Sequence, residues 1–185
     1  MPERFLGISF DALDETRAVR RCRDYARNVV QRVGDGMGLI LKGPVGTGKT
    51  TAACAIAEEA CRQDIAVLFL RAYRLVDDLT TYKTFADKGA FDALEARLKE
   101  ARLLILDDFG QEMADSWAEG KVERILADRY DQMRSTIITT NLGSGDMRQR
   151  YQERILDRLR ETCEVVVFDG PSRRIQSQSP EAERP

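Results

Sequence analysis

From residue 37 onward, short apolar runs alternate with stretches in which apolar residues recur every three or four positions. The runs occupy positions 39–41, 65–70, 103–106, 136–139 and 164–168. Most are nearly uniformly apolar or β-branched, the composition of strands covered by helices on both faces. Between them, segment 51–61 places Ala53, Ile56, Ala57 and Ala60 at helical spacing, with Glu58 and Glu59 on the other side. Segment 117–133 repeats the pattern with Val122, Ile125, Leu126 and Tyr130, and 146–160 predicts one more helix, rich in arginine. This alternation predicts an α/β fold, a three-layer αβα arrangement around a five-stranded parallel sheet.

The ends read differently. Residues 1–36 form a helical lead-in carrying Arg17, Arg20, Arg21, Arg23 and Arg27, either a basic face or a solvated one. Residues 37–170 form the core. Residues 171–185 are polar and rich in Pro and Ser, a composition that predicts a largely disordered tail. With 185 residues, the chain has room for one domain.

Composition narrows the chemistry. The formal charge is −2, so any contact with DNA must come from a local patch. No apolar run is long enough for a membrane span, and Met1–Phe5 lacks the apolar core of a signal peptide; a cytoplasmic protein is expected. The chain has no histidine, which excludes imidazole bases and His–Cys nucleophiles. Its cysteines, Cys22, Cys54, Cys61 and Cys163, form no C-x-x-C pair, and Cys54 and Cys61 read as small packing residues.

Residues 43–50 supply the first chemistry: Gly43, Pro44, Val45, Gly46, Thr47, Gly48, Lys49 and Thr50 complete the G-x-x-x-x-G-K-[ST] pattern. An apolar strand leads in and an alanine-rich helix leads out from Thr51. The glycines let successive N–H groups turn inward around a phosphate, and the helix adds its unpaired N–H groups. Lys49 is placed for the β- and γ-phosphates of ATP, and the Thr50 hydroxyl for Mg²⁺. Asp107 and Asp108 end the apolar run 103–106. Asp107 fits a carboxylate that holds Mg²⁺, and Asp108 one that polarises the attacking water. Asn141 follows the β-branched run 135–140, at the strand end where such sheets meet ligands, and could orient water. Arg154 and Arg158 share a helix face, as surface arginines or as a finger reaching into a neighbouring subunit.

In this order the motifs resemble the AAA+ ATPases of the DnaC/IstB-like helicase-loader group. The resemblance is carried by the loop at 43–50, LLILDDFG at 103–110, Asp115-Ser116-Trp117, STIITTN at 135–141 and ERILDRLRE at 153–161. Arg4-Phe5 and Ser9-Phe10-Asp11 are similar to the segment preceding the core in that group. The resemblance implies a P-loop AAA+ core with a minimal or absent helical lid. The sequence departs from the group in carrying only residues 1–36 ahead of the core, where its loaders carry a helicase-binding domain. It implies Mg²⁺-dependent ATP hydrolysis, with Asn141 as sensor one, Arg158 ahead of Arg154 as the arginine finger, and Arg173 ahead of Arg174 as sensor two. Segment 75–98 resembles the helical insertion that contacts single-stranded DNA, with Arg74, Lys83 and Lys88 as phosphate contacts. The implied role is DNA replication through nucleotide-dependent homo-oligomers on a replicative helicase. The other branch implies an ATPase assisting a transposase. A small-molecule kinase and a non-hydrolysing ATP switch are the readings outside this family.

Overall fold

All five strands run parallel in one sheet, and their order decides what meets at its edge. The computed structural model describes residues 1–84, 87–110 and 116–173. The strands are β1 (Gly38–Lys42), β2 (Val67–Arg71), β3 (Leu103–Asp107), β4 (Ser135–Thr140) and β5 (Cys163–Val167). They lie in the order β2-β3-β4-β1-β5. Strand β4 therefore sits between β1 and β3. Gly38 is where β1 enters beside β4: a Cβ there would stand 1.9 Å from the Thr136 carbonyl oxygen.

Alternation along the strands feeds two cores. Leu39, Leu41, Leu103, Ile105 and Ile137 face α1 (Arg17–Arg27), α2 (Val29–Gly34) and α3 (Lys49–Arg62). Leu104, Leu106 and Ile138 face the other side, among α4 (Ala72–Thr84), α5 (Lys88–Glu100), α6 (Ser116–Asp131), α7 (Ser144–Arg150) and α8 (Glu153–Thr162). This is the expected three-layer αβα fold with a five-stranded parallel sheet. The question of a lid and all of the 171–185 tail after Arg173 lie outside the described residues.

Local differences from the sequence reading have local causes. Strand β2 starts at Val67 because residues 63–65 are used to end α3, with the Ile65 N–H donating to the Ala60 carbonyl and Asp64 at φ 56°. Segment 75–98 divides into α4 and α5, and Asp87 caps the second by accepting from the Ala90 N–H. The single helix expected over 146–160 breaks into α7 and α8 at Tyr151, whose backbone is extended (φ −115°, ψ 149°). The Tyr151 ring is buried against Phe109, centroids 4.7 Å apart, and the Gln152 N–H donates to Glu123.

Among the described residues, Arg129 is the largest fully buried side chain, 1% exposed. Its Nε donates to Thr136 Oγ1 (3.0 Å), Nη1 to the carbonyls of Leu98 and Ala101 (2.7 and 2.8 Å), and Nη2 to that of Ser135 (2.5 Å). It joins the end of α5 to the start of β4. On α1, Arg21, Arg23 and Arg27 pair with Glu164, Glu15 and Asp24, which makes them a solvated, ion-paired face. Cys22, Cys54 and Cys163 are buried; Cys61, expected to pack, is exposed at the end of α3. No described helix is long and apolar enough to cross a membrane.

Candidate nucleotide site

The loop between β1 and α3 is shaped by its glycines. Gly46 and Gly48 take φ of 84° and 98°, a region that costs side-chain-bearing residues strain. Gly43 lies so close to β5 that a Cβ would meet the Phe168 carbonyl oxygen at 2.0 Å. Thr47 Oγ1 donates to the Pro44 carbonyl (2.9 Å), closing the loop. Lys49, 5% exposed, folds its ammonium back over the loop onto the carbonyls of Gly43 and Pro44, both at 2.7 Å.

The strand order brings the ends of β1, β4 and β3 side by side. Asp107 is 1% exposed, and its Oδ1 accepts from Thr50 Oγ1 and Thr139 Oγ1, both at 2.7 Å. Burial pushes its pKa up, the two hydroxyls pull it down, and Asp108 beside it pushes it up. Asp108 sits at φ 56° with its N–H donating to Thr139 Oγ1 (2.9 Å). Asp108 and Asn141 line the same cavity of about 460 Å³ as Lys49 and Thr50. Asn141 Oδ1 is buried and meets no donor among the described residues. An ammonium, glycine-freed N–H groups, a hydroxyl–carboxylate pair of hard oxygens and an orphaned amide oxygen fit a nucleoside triphosphate with Mg²⁺.

Val45, Gly46, Gly48, Thr51 and Arg173 complete that cavity's expected lining. Arg173 donates its N–H to the Gly46 carbonyl (2.9 Å), while its guanidinium pairs with Asp14 at 2.7 Å. Arg174 lies outside the described residues. Arg158 is not brought to this cavity. It lies over the Tyr130 ring (5.0 Å) and 3.5 Å from the Asp131 carboxylate. The cavity it lines, about 430 Å³, is bounded by Gly36, Arg134 and Thr136, where β1 and β4 begin. It therefore lies at the opposite end of the sheet from its own phosphate loop. Arg154 is exposed.

Three residues were not singled out for the site. Thr139 holds both acids, and only the pairing of β3 with β4 brings it there. Arg4 and Phe5 line the nucleotide cavity, on a segment pinned to α3 by the Gly7 N–H donating to Glu58. Their place in a segment similar to the one preceding the core was the only hint.

The model of the IstB-like ATP binding proteins matches residues 16–181. The chain belongs to that family. An insertion-sequence ATP-binding protein of Sinorhizobium fredii is 37% identical over 182 residues, covering 92% of this chain and 73% of that protein. The IS1162 ATP-binding protein of Pseudomonas fluorescens is 38% identical over 107 residues, 58% of this chain and 45% of its own length. The replicative helicase loader DnaI of Bacillus subtilis is 25% identical over 187 residues, covering 91% of this chain and 59% of DnaI. Among solved structures, the DnaC helicase loader superposes with a TM-score of 0.78 at 24% identity, covering 91% of this chain and all of that one. The IstB-like chain thus has the AAA+ fold of the loaders, as its motifs led one to expect.

Proposed function

We propose that this IstB-like chain hydrolyses ATP with Mg²⁺ and serves as the ATPase partner of an insertion-sequence transposase, acting on DNA as an assembly of several copies. The observation that carries the chemistry is the convergence of Lys49, the Thr50–Asp107 pair, Asp108 and Asn141 on one loop. Lys49 gives its ammonium to the terminal phosphates, and Asn141 Oδ1 accepts a hydrogen bond from the attacking water. Asp108 accepts that water's proton. Thr50 and Asp107 would hold magnesium, which when bound neutralises the charge of the β- and γ-phosphates. Asp108→Asn keeps the turn but removes the base. Its turnover should fall by about 100-fold or more with ATP still bound, measured by phosphate release and by titration. Equal turnover would exclude Asp108 from the chemistry. A wild-type chain idle even with DNA and either partner would leave a non-hydrolysing switch.

The transposase reading takes precedence over helicase loading because the family model and the insertion-sequence relatives at 37% and 38% identity support it. The loader fold and the coverage of DnaI keep the second reading in play. Stimulation of turnover by a transposase and not by a replicative helicase separates the two; the reverse result selects the loader.

The place of Arg158, away from its own loop, supports a finger that acts on the nucleotide of a second copy. Mixing Arg158→Ala with Lys49→Ala chains should then restore part of the turnover that each lacks alone. One interface would pair an intact loop with an intact finger. No recovery at any ratio, with co-assembly demonstrated, would exclude the trans role.

A further inference from the structure

Residues 107, 108 and 109 are all fastened to a single residue of the neighbouring strand. Thr139 Oγ1 donates to Asp107 Oδ1 (2.7 Å) and accepts from the Asp108 N–H (2.9 Å). Its carbonyl accepts from the Phe109 N–H (2.8 Å). A threonine hydroxyl has one hydrogen. Because its oxygen accepts from Asp108, that hydrogen is free for Asp107, and the polarity of the chain is set: Asp108 N–H to Thr139 O–H to Asp107 carboxylate. Thr50 O–H meets the same carboxylate oxygen from the loop side (2.7 Å). Thr139 is fully buried, and its β-branched side chain has few rotamers to choose from.

The backbone gives this hydroxyl something to hold. Asp108 sits at φ 56°, a left-handed conformation that aspartate tolerates better than most L-residues but that persists only where its surroundings hold it. The hydrogen bond to Thr139 is one of those constraints. Without it, the peptide is freer to relax to negative φ, and relaxation would swing the Asp108 carboxylate away from the cavity it lines. The oxygen that Asp107 presents to Thr50 would lose its second anchor in the same step.

We propose that Thr139 is a positioning residue for ATP hydrolysis, its hydroxyl holding Asp107 toward Thr50 and Asp108 in the turn that points its carboxylate into the cavity. The inference rests on the hydrolytic reading of this site and names a residue outside the nucleotide's contacts. A threonine that merely satisfies buried polar atoms would change stability alone.

The test compares Thr139→Val, which keeps the shape without the hydroxyl, with Thr139→Ser, which keeps the hydroxyl without the methyl. In the valine variant kcat should fall by about 100-fold with KM for ATP within a few-fold of wild type, the cost of a small misplacement of reacting groups. Affinity for a fluorescent ATP analogue in EDTA should be unchanged, and the Mg²⁺ concentration that tightens its binding should rise. Serine should restore kcat to within about threefold, even with a lower melting temperature. A valine variant with wild-type kcat, or a serine variant as slow as valine, overturns the proposal; the serine variant alone decides should valine not fold. If the wild-type chain turns over no ATP, the hydrolytic reading itself has failed. The Mg²⁺ dependence of analogue binding then still tests Thr139: weakened by valine and kept by serine supports its hold on Asp107, and no difference between them removes it.

Discussion

Replacing Lys49 by alanine should lower ATP affinity by about 100-fold or more, measured by calorimetric titration at fixed salt. The size follows from the contacts removed. Hydrogen bonds to charged groups contribute about 1.5–3 kcal/mol each, and every 1.4 kcal/mol is tenfold in affinity. In the described chain the ammonium rests on the carbonyls of Gly43 and Pro44, 2.7 Å from each and almost out of water. Those neutral oxygens are weaker acceptors than an anionic phosphate oxygen, so a bound phosphate would draw the ammonium off them. Arginine should not rescue, because its planar fork cannot replace a compact ammonium in so tight a loop. Unaltered affinity in Lys49→Ala would remove the phosphate-loop assignment, and with it the proposed chemistry.

The second large effect concerns stability. Arg129→Met should lower the unfolding free energy by about 3 kcal/mol, read from urea denaturation with an unchanged slope. Methionine fills much of the volume but leaves the carbonyls of Leu98, Ala101 and Ser135 and the Thr136 hydroxyl without their donor. Each unsatisfied buried group costs about 1–3 kcal/mol, and the loss is offset in part because no guanidinium need then be buried. That burial is unfavourable in its own right: it pushes the Arg129 pKa down to about 10. The depressed value means the folded state binds the proton less tightly than the unfolded chain. Below pH 10 the buried charge opposes folding, and this opposition fades as pH rises through the folded pKa. A variant as stable as wild type would show that the carbonyls find other donors.

The parts of the site that lie in one stretch of chain were legible in the sequence. The loop at 43–50 and the acids at 107–108 need only a strand ending and a helix beginning, which apolar periodicity locates. Asn141 was legible through its position at a strand end. Thr139 was not, because its role depends on β4 lying between β1 and β3, and periodicity tells which face a residue takes without naming its neighbour strand. The separation of Arg158 from the loop is hidden for the same reason. The break at Tyr151 escaped because the arginine-rich pattern continues across it, while the cause, a stack on Phe109, is far away in sequence. The fold class was recoverable because it follows from alternation alone; pairing order, which builds the site, does not.

The left-handed backbone at Asp108 narrows what mutation can do there. Glycine, asparagine and aspartate enter that region cheaply, and of these only aspartate carries a charge. Glutamate would reach one methylene further toward a water, yet would carry about 1–2 kcal/mol of strain relative to glycine. A longer carboxylate at this position therefore carries that strain unless the turn is reshaped with it. On the proposed chemistry, the carboxylate that meets the attacking water, and with it the rate of ATP turnover, is held by one dihedral angle.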